Sequence, residues 1–168
     1  MHCRLKLSGA GPQALFPFLI LNNMLQKIFD LVSANKNVLL VGKTNSGKTY
    51  FITNELIPFF GKNGKQAIYI SSMNEEINPT KDSIVILDEF EILEDRAFLE
   101  YQHPEENPFY SNEYLERIDQ WLAKANKIKN ICVYVVTRNK DVEIENIKRI
   151  SKFSFSDDIE VLEFKNGM

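Results

Sequence analysis

Residues 37–49 read Asn-Val-Leu-Leu-Val-Gly-Lys-Thr-Asn-Ser-Gly-Lys-Thr, an apolar run that passes directly into a polar, glycine-punctuated loop. The spelling has a physical reading. Gly42 and Gly47 let the backbone turn tightly, and the amides of residues 45 to 49 can then converge on the oxygens of a phosphate chain. The segment that follows, Tyr50-Phe-Ile-Thr-Asn-Glu-Leu-Ile57, has helical character, so a helix beginning near Lys48 adds its positive dipole end to the same point. Lys48 is expected to reach the β- and γ-phosphates, and the Thr49 hydroxyl is a hard oxygen suited to Mg²⁺. Gly42, Asn45, Ser46, Gly47, Lys48, Thr49 and Tyr50 are therefore the candidate nucleotide-binding residues. A chance glycine-rich turn would lack the strand before it and the helix after it.

The rest of the chain suits one domain built around that loop. At 168 residues it is long enough for a single well-buried core and short for two. Hydrophobic residues at 44% and charged residues at 26% are ordinary for a globular protein and argue against wholesale disorder. A net charge of −3 supplies no general attraction to nucleic acid, so any such contact needs a local patch. Cys3 and Cys132 are far apart in unlike contexts, which argues against a disulfide framework. Neither cysteine, nor His2 or His103, has a partner at a metal-ligand spacing. No run approaches the roughly 20 apolar residues that span a bilayer, and a cytoplasmic location is expected. The apolar stretch 14–21 is broken by Pro17 and lacks a small-residue cleavage site.

Apolar positions Ile20, Leu21, Met24, Leu25, Ile28, Phe29 and Val32 predict an amphipathic helix over 19–34, within an N-terminal segment, 1–36, packed on the core. Strands are predicted at Val38–Val41, Ala67–Ser71, Ile84–Leu87, Ile131–Val136 and Ile159–Phe164. Helices are predicted at Lys48–Ile57, Glu91–Tyr101, Asn112–Lys127 and Val142–Ser151. Short apolar strands interleaved with helices predict an α/β fold with a mainly parallel five-stranded sheet, occupying 37–168. Between Ser71 and Ser83 there is barely room for a crossover helix of about a dozen residues, so an irregular connection is expected there.

Ile84-Val-Ile-Leu-Asp-Glu-Phe90 is an apolar strand that ends in paired acids, about 40 residues after the phosphate loop. In a parallel sheet the carboxyl ends of the strands share one edge, so Asp88 is placed to lie beside Thr49 and hold Mg²⁺. Glu89 is the candidate for polarising an attacking water. Ile131-Cys-Val-Tyr-Val-Val136 likewise ends in Thr137, Arg138 and Asn139. Asn139, or in second place Thr137, could hydrogen-bond that water or the γ-phosphate.

Three such elements in this order resemble the additional-strand P-loop ATPases, most closely an AAA+-type core, over about residues 37–164. Gly42–Thr49 matches Walker A, Ile84–Glu89 resembles Walker B with its catalytic glutamate, and Val135–Asn139 resembles the first-sensor strand end. The resemblance implies a three-layer P-loop NTPase sandwich, ATP and Mg²⁺ as ligands, and catalytic roles for Lys48, Glu89 and Asn139. It also implies an arginine finger acting on a neighbouring subunit of a homo-oligomer. Arg149, at the end of the helix before the fifth strand, has the comparable place, with Arg138 as the second candidate. The helical lid usual in AAA+ proteins is not expected, since little chain follows the fifth strand.

Several rivals share the loop. A GTPase would have Asp-x-x-Gly at the second motif, where this chain has Asp88 followed by Glu-Phe-Glu, and Asn139-Lys140-Asp141 sets its aspartate one position early for guanine recognition. A small-molecule kinase leaves no recognisable acceptor motif, and the paired acids favour hydrolysis. Among ATPases, the sequence leaves two couplings open. One is a nucleic-acid motor or loader binding DNA or RNA, similar to superfamily-three helicases or packaging ATPases; Lys62, Lys65, Lys124, Lys127 and Lys129 are its basic groups. The other is a nucleotide-gated protein-interaction switch with little turnover.

Overall fold

The computed structural model describes residues 15–72, 75–88, 111–125, 127–137 and 159–164. The first helix, α1, spans Leu15–Ser33 and so begins four residues earlier than the periodicity predicts. Pro17 does not prevent this, because a proline in the first turn lacks only an N–H that has no intrahelical partner there. The helix buries Leu25, Ile28 and Val32. It ends in a Schellman turn: Asn35 takes a left-handed φ of 58°, Asn35 N–H donates to Val32 O at 3.2 Å, and Lys36 N–H donates to Leu31 O at 3.0 Å.

Strand β1, Asn37–Val41, follows immediately. Beyond the loop, a continuous helical run that we call α2 comprises α-helical Lys48–Phe51, a π-helical turn at Ile52–Leu56 and α-helical Ile57–Lys62. A stop at Ile57, before Pro58, is expected from the sequence, yet the helix passes through the proline. The wider turn just upstream explains how. Ile57 N–H bonds to Ile52 O in the i→i+5 pattern, which relaxes the stretch of backbone against which a proline ring would otherwise press. Two polar side chains serve the carbonyls of the first turn, Thr53 Oγ1 donating to Thr49 O at 2.9 Å and Asn54 Nδ2 to Tyr50 O at 3.1 Å. A second Schellman turn, with Gly64 at φ 72° and Lys65 N–H on Phe60 O at 2.9 Å, closes α2.

The remaining described elements are β2 (Ala67–Ile70), β3 (Ile84–Leu87), the helix α3 (Asn112–Ala125), β4 (Cys132–Val136) and β5 (Ile159–Glu163). Ser111 caps α3 by accepting the Tyr114 N–H at 3.1 Å. The predicted helices Glu91–Tyr101 and Val142–Ser151 lie outside the described residues. The described part of the β2–β3 connection contains no helix, as the short spacing requires. Instead, Asn130 Nδ2 reaches across to donate to Thr80 O and Ser83 O, each at 2.8 Å.

All five strands are parallel and ordered β2-β3-β4-β1-β5. The central strands β3 and β4 are buried along their whole length, which is why they read as unbroken apolar runs. Alternate residues enter two separate cores. Val38, Leu40, Ile84, Ile86, Val133 and Val135 pack with α1 and α2, while Leu39, Val41, Val85, Leu87, Cys132 and Tyr134 pack with Trp121 and Ala125 of α3. Helices therefore cover both faces. The β1–β2 crossover runs one way along the sheet and the β3–β4 crossover runs back, so a common handedness sends α2 and α3 to opposite faces. Among the described residues, no helix is long and apolar enough to cross a membrane.

Candidate functional site

Because every strand is parallel, the carboxyl ends of β1, β3 and β4 open on one edge of the sheet. The loop 42–47 leaves β1 at that edge, wedged between its two neighbours: Gly42 N–H donates to Val136 O at 3.2 Å, and Phe164 N–H donates to Val41 O at 2.6 Å. The space is tight enough to require glycine. A Cβ on Gly42 would stand 2.9 Å from Phe164 O, 3.0 Å from Phe164 Cβ and 3.2 Å from Lys48 Cδ. The loop then turns through left-handed φ angles of 58° at Asn45 and 91° at Gly47, and between them the Ser46 N–H, expected to face a phosphate, instead closes a turn on Lys43 O at 3.2 Å.

Lys48 opens α2 and is only 7% exposed, which for an ammonium demands partners. It folds back over its own loop, Nζ donating to Gly42 O at 2.7 Å and Lys43 O at 2.9 Å. The Ser46 hydroxyl is shielded from solvent and has no hydrogen-bond partner among the described residues. A buried, unmatched hydroxyl costs free energy, so an acceptor brought to this loop would gain a donor there.

The second strand end meets the loop as the sequence predicts. Ile84 and Ile86 face α2, and the two-residue period puts Asp88 on that same face. Thr49 Oγ1 donates to Asp88 Oδ2 at 3.1 Å although 39 residues separate them in sequence. Asp88 is itself buried at 7% exposure and its N–H donates to Ile70 O at 2.9 Å. A third group joins them. Tyr69, on the edge strand β2, donates its hydroxyl to Asp88 Oδ2 at 2.6 Å.

Sequence reasoning finds Lys48, Thr49 and Asp88 but misses Tyr69, which in Ala67-Ile-Tyr-Ile70 reads as an ordinary strand aromatic. The signal that could have found it is parity: Tyr69 is in register with Ile86, two residues before Asp88, and on the α2 face. Tyr50 is 66% exposed and stands on the open side of α2. Thr137 follows β4 directly and is half-buried. Glu89, Arg138, Asn139 and Arg149 lie outside the described residues.

On the other face of the sheet, burial pushes the Cys132 thiol up to about 11, and the same burial, with Cys132 beside it, pushes the Tyr134 phenol upward. Neither group belongs to the loop edge.

The residues present fit a magnesium nucleotide. The donor set beside the loop is a hydroxyl and a carboxylate, both hard oxygen groups, and Mg²⁺ is ordinarily held by only one or two protein groups together with phosphate and water. Gly42 and Gly47, the buried Lys48 ammonium and the unmatched Ser46 hydroxyl all lie within residues 42–48, where a phosphate group could be held. No protein-family model matches the chain, and no curated protein matches it as a relative.

Proposed function

We propose that this protein binds Mg-ATP at the loop edge and hydrolyses it, as a P-loop NTPase of the additional-strand class with an AAA+-like three-layer core. The observation that carries the reading is the hydrogen bond from Thr49, the residue after the buried loop lysine Lys48, to Asp88 at the end of β3. The strand order supports the class, because β4 stands between the strand that feeds the loop and the strand that ends in Asp88.

In this reading Lys48 exchanges its two carbonyl acceptors for the β- and γ-phosphate oxygens, and Ser46 gains the acceptor it lacks. Thr49 and Asp88 would hold Mg²⁺, which when bound neutralises phosphate charge. Thr49 can coordinate through a lone pair while its O–H still donates to Asp88, so its observed hydrogen bond is compatible with that role. Glu89, the next residue after Asp88, is the proposed base for an in-line water, with Asn139 orienting that water. Arg149 from a second copy of the chain is the proposed finger, and the proposed coupling is to a nucleic-acid motor or loader.

The test measures binding of a fluorescent ATP analogue and phosphate release, with and without single-stranded and duplex DNA, across protein concentration. Lys48→Ala should weaken binding by roughly 10- to 100-fold, the value of one to two charge-assisted hydrogen bonds. Glu89→Gln should bind as the wild type does and not turn over. Equal loss of binding in both variants would refute the roles. Turnover that rises with DNA and protein concentration supports the motor, and tight binding with negligible turnover throughout replaces it with the nucleotide-gated switch.

A further inference from the structure

We infer that Tyr69 is a positioning residue for the metal side of the site, holding the Asp88 carboxylate in the orientation that Mg-nucleotide requires; this rests on the reading of the site as a Mg-ATP site.

The geometry is specific. Two hydroxyls from different elements, Thr49 on α2 and Tyr69 on β2, converge on the same oxygen, Asp88 Oδ2, at 3.1 and 2.6 Å. The tyrosine bond has the length of a charge-assisted O–H···O⁻ contact and is the shorter of the two. Thr49 is exposed and has its oxygen open to a cation, whereas Tyr69 is partly buried against the α2-side core and donates its hydroxyl to the carboxylate. The two donors thus divide the work. Thr49 lies between the carboxylate and the nucleotide side, and Tyr69 steadies the carboxylate from the sheet side.

The backbone reinforces this arrangement. Asp88 N–H is bonded to Ile70 O, the neighbour of Tyr69, so main chain and side chain of β2 fix the residue together. Tyr69 would also link the edge strand to the site: two residues on, the Ser71 N–H and hydroxyl both donate to Glu75 Oε1 at 3.0 Å, where the irregular β2–β3 connection begins. Groups that orient a metal-side carboxylate are typically worth about 10- to 100-fold in metal affinity.

The experiment measures the dissociation constant of ATP in EDTA and in excess Mg²⁺, and takes the ratio as the gain due to metal. Tyr69→Phe removes one oxygen and keeps the ring. Tyr69→Leu removes the same hydroxyl with a different apolar shape. In both variants the ratio should fall about 10-fold, or to unity if the wild-type gain is smaller, while the EDTA value stays at the wild-type level. Ile70→Val, a packing change one residue away, should lower thermal stability without moving the ratio. An unchanged ratio in Tyr69→Phe, or loss in Tyr69→Leu alone, overturns this inference and leaves the Mg-ATP site standing. A wild-type protein that binds no ATP in either condition overturns both.

Discussion

Gly42→Ala is the sharpest test of how the loop is seated. The added methyl would lie 2.9 Å from the backbone oxygen of Phe164, closer than real Cβ atoms come, and 3.0 Å from its Cβ, a contact that requires the neighbour to give by a few tenths of an ångström. Neither atom is the far end of a flexible side chain. Relief therefore requires β1 and the end of β5 to separate, although they are tied there by the 2.6 Å Phe164–Val41 hydrogen bond. Insertions of this kind into a packed site cost about 1–3 kcal/mol. For a chain of this size each kcal/mol is about 2–4 °C, so the melting temperature should fall by roughly 2–12 °C. The third contact, 3.2 Å to Lys48 Cδ, means that affinity for the proposed nucleotide should fall with it. Thermal and urea unfolding, together with nucleotide titration, read both effects. Gly47→Ala is the control: nothing lies within 4 Å, and only the φ of 91° is strained, at about 1–2 kcal/mol. Shortening Phe164 to Leu should not rescue Gly42→Ala, since the closest atoms remain. An unchanged melting temperature and affinity in Gly42→Ala would refute the close approach.

Asn130→Ala should destabilise the fold by about 0.5–1.5 kcal/mol, because Ser83 O loses the part-buried donor at 2.8 Å while Thr80 O keeps the Ser83 N–H and hydroxyl; the urea midpoint measures it. In a Cys3→Ser background, Cys132 should resist a thiol reagent at pH 8 in the folded protein and react on unfolding, since burial raises its pKa to about 11. The same shift fixes a pH dependence. The folded thiol holds its proton more tightly than the unfolded one, so its contribution is intact below about pH 9, where the unfolded thiol titrates, and is lost as pH rises towards 11. Tyr134 shifts in the same direction, and urea midpoints across that range should fall in the wild type and fall less in Cys132→Ala.

The legible parts of this protein were those in which a local rule and the tertiary structure agree. All five strands stand within a residue of their predicted bounds, because each is short and bounded by polar or turn-forming residues. The approach of Asp88 to Thr49 was legible because both lie just beyond the carboxyl ends of parallel strands, and strand ends are visible in a hydrophobic pattern. The path of α2 beyond Pro58 was not, since the widened turn that admits it depends on hydrogen bonding several residues upstream. Nor was Tyr69, because a hydroxyl on a strand has no local mark of the carboxylate it serves. Strand order was likewise invisible: nothing in Cys132–Val136 says that it pairs with both β1 and β3.

That order has a consequence for how the chain acquires its shape. β1 pairs only with β4 and β5, strands that occur late in the sequence, and makes no ladder with β2, which is made soon after it. During synthesis the loop after β1 emerges early and must wait, its flanking strand unpaired on both edges, until residues beyond 130 are available. Pairing across such separations is slow, and an apolar strand left open meanwhile is a template for wrong partners. The segment from 15 to 88 holds the loop, its lysine, its threonine and its aspartate, yet by itself it lacks the strand that spaces them. Expressed alone it should aggregate rather than bind.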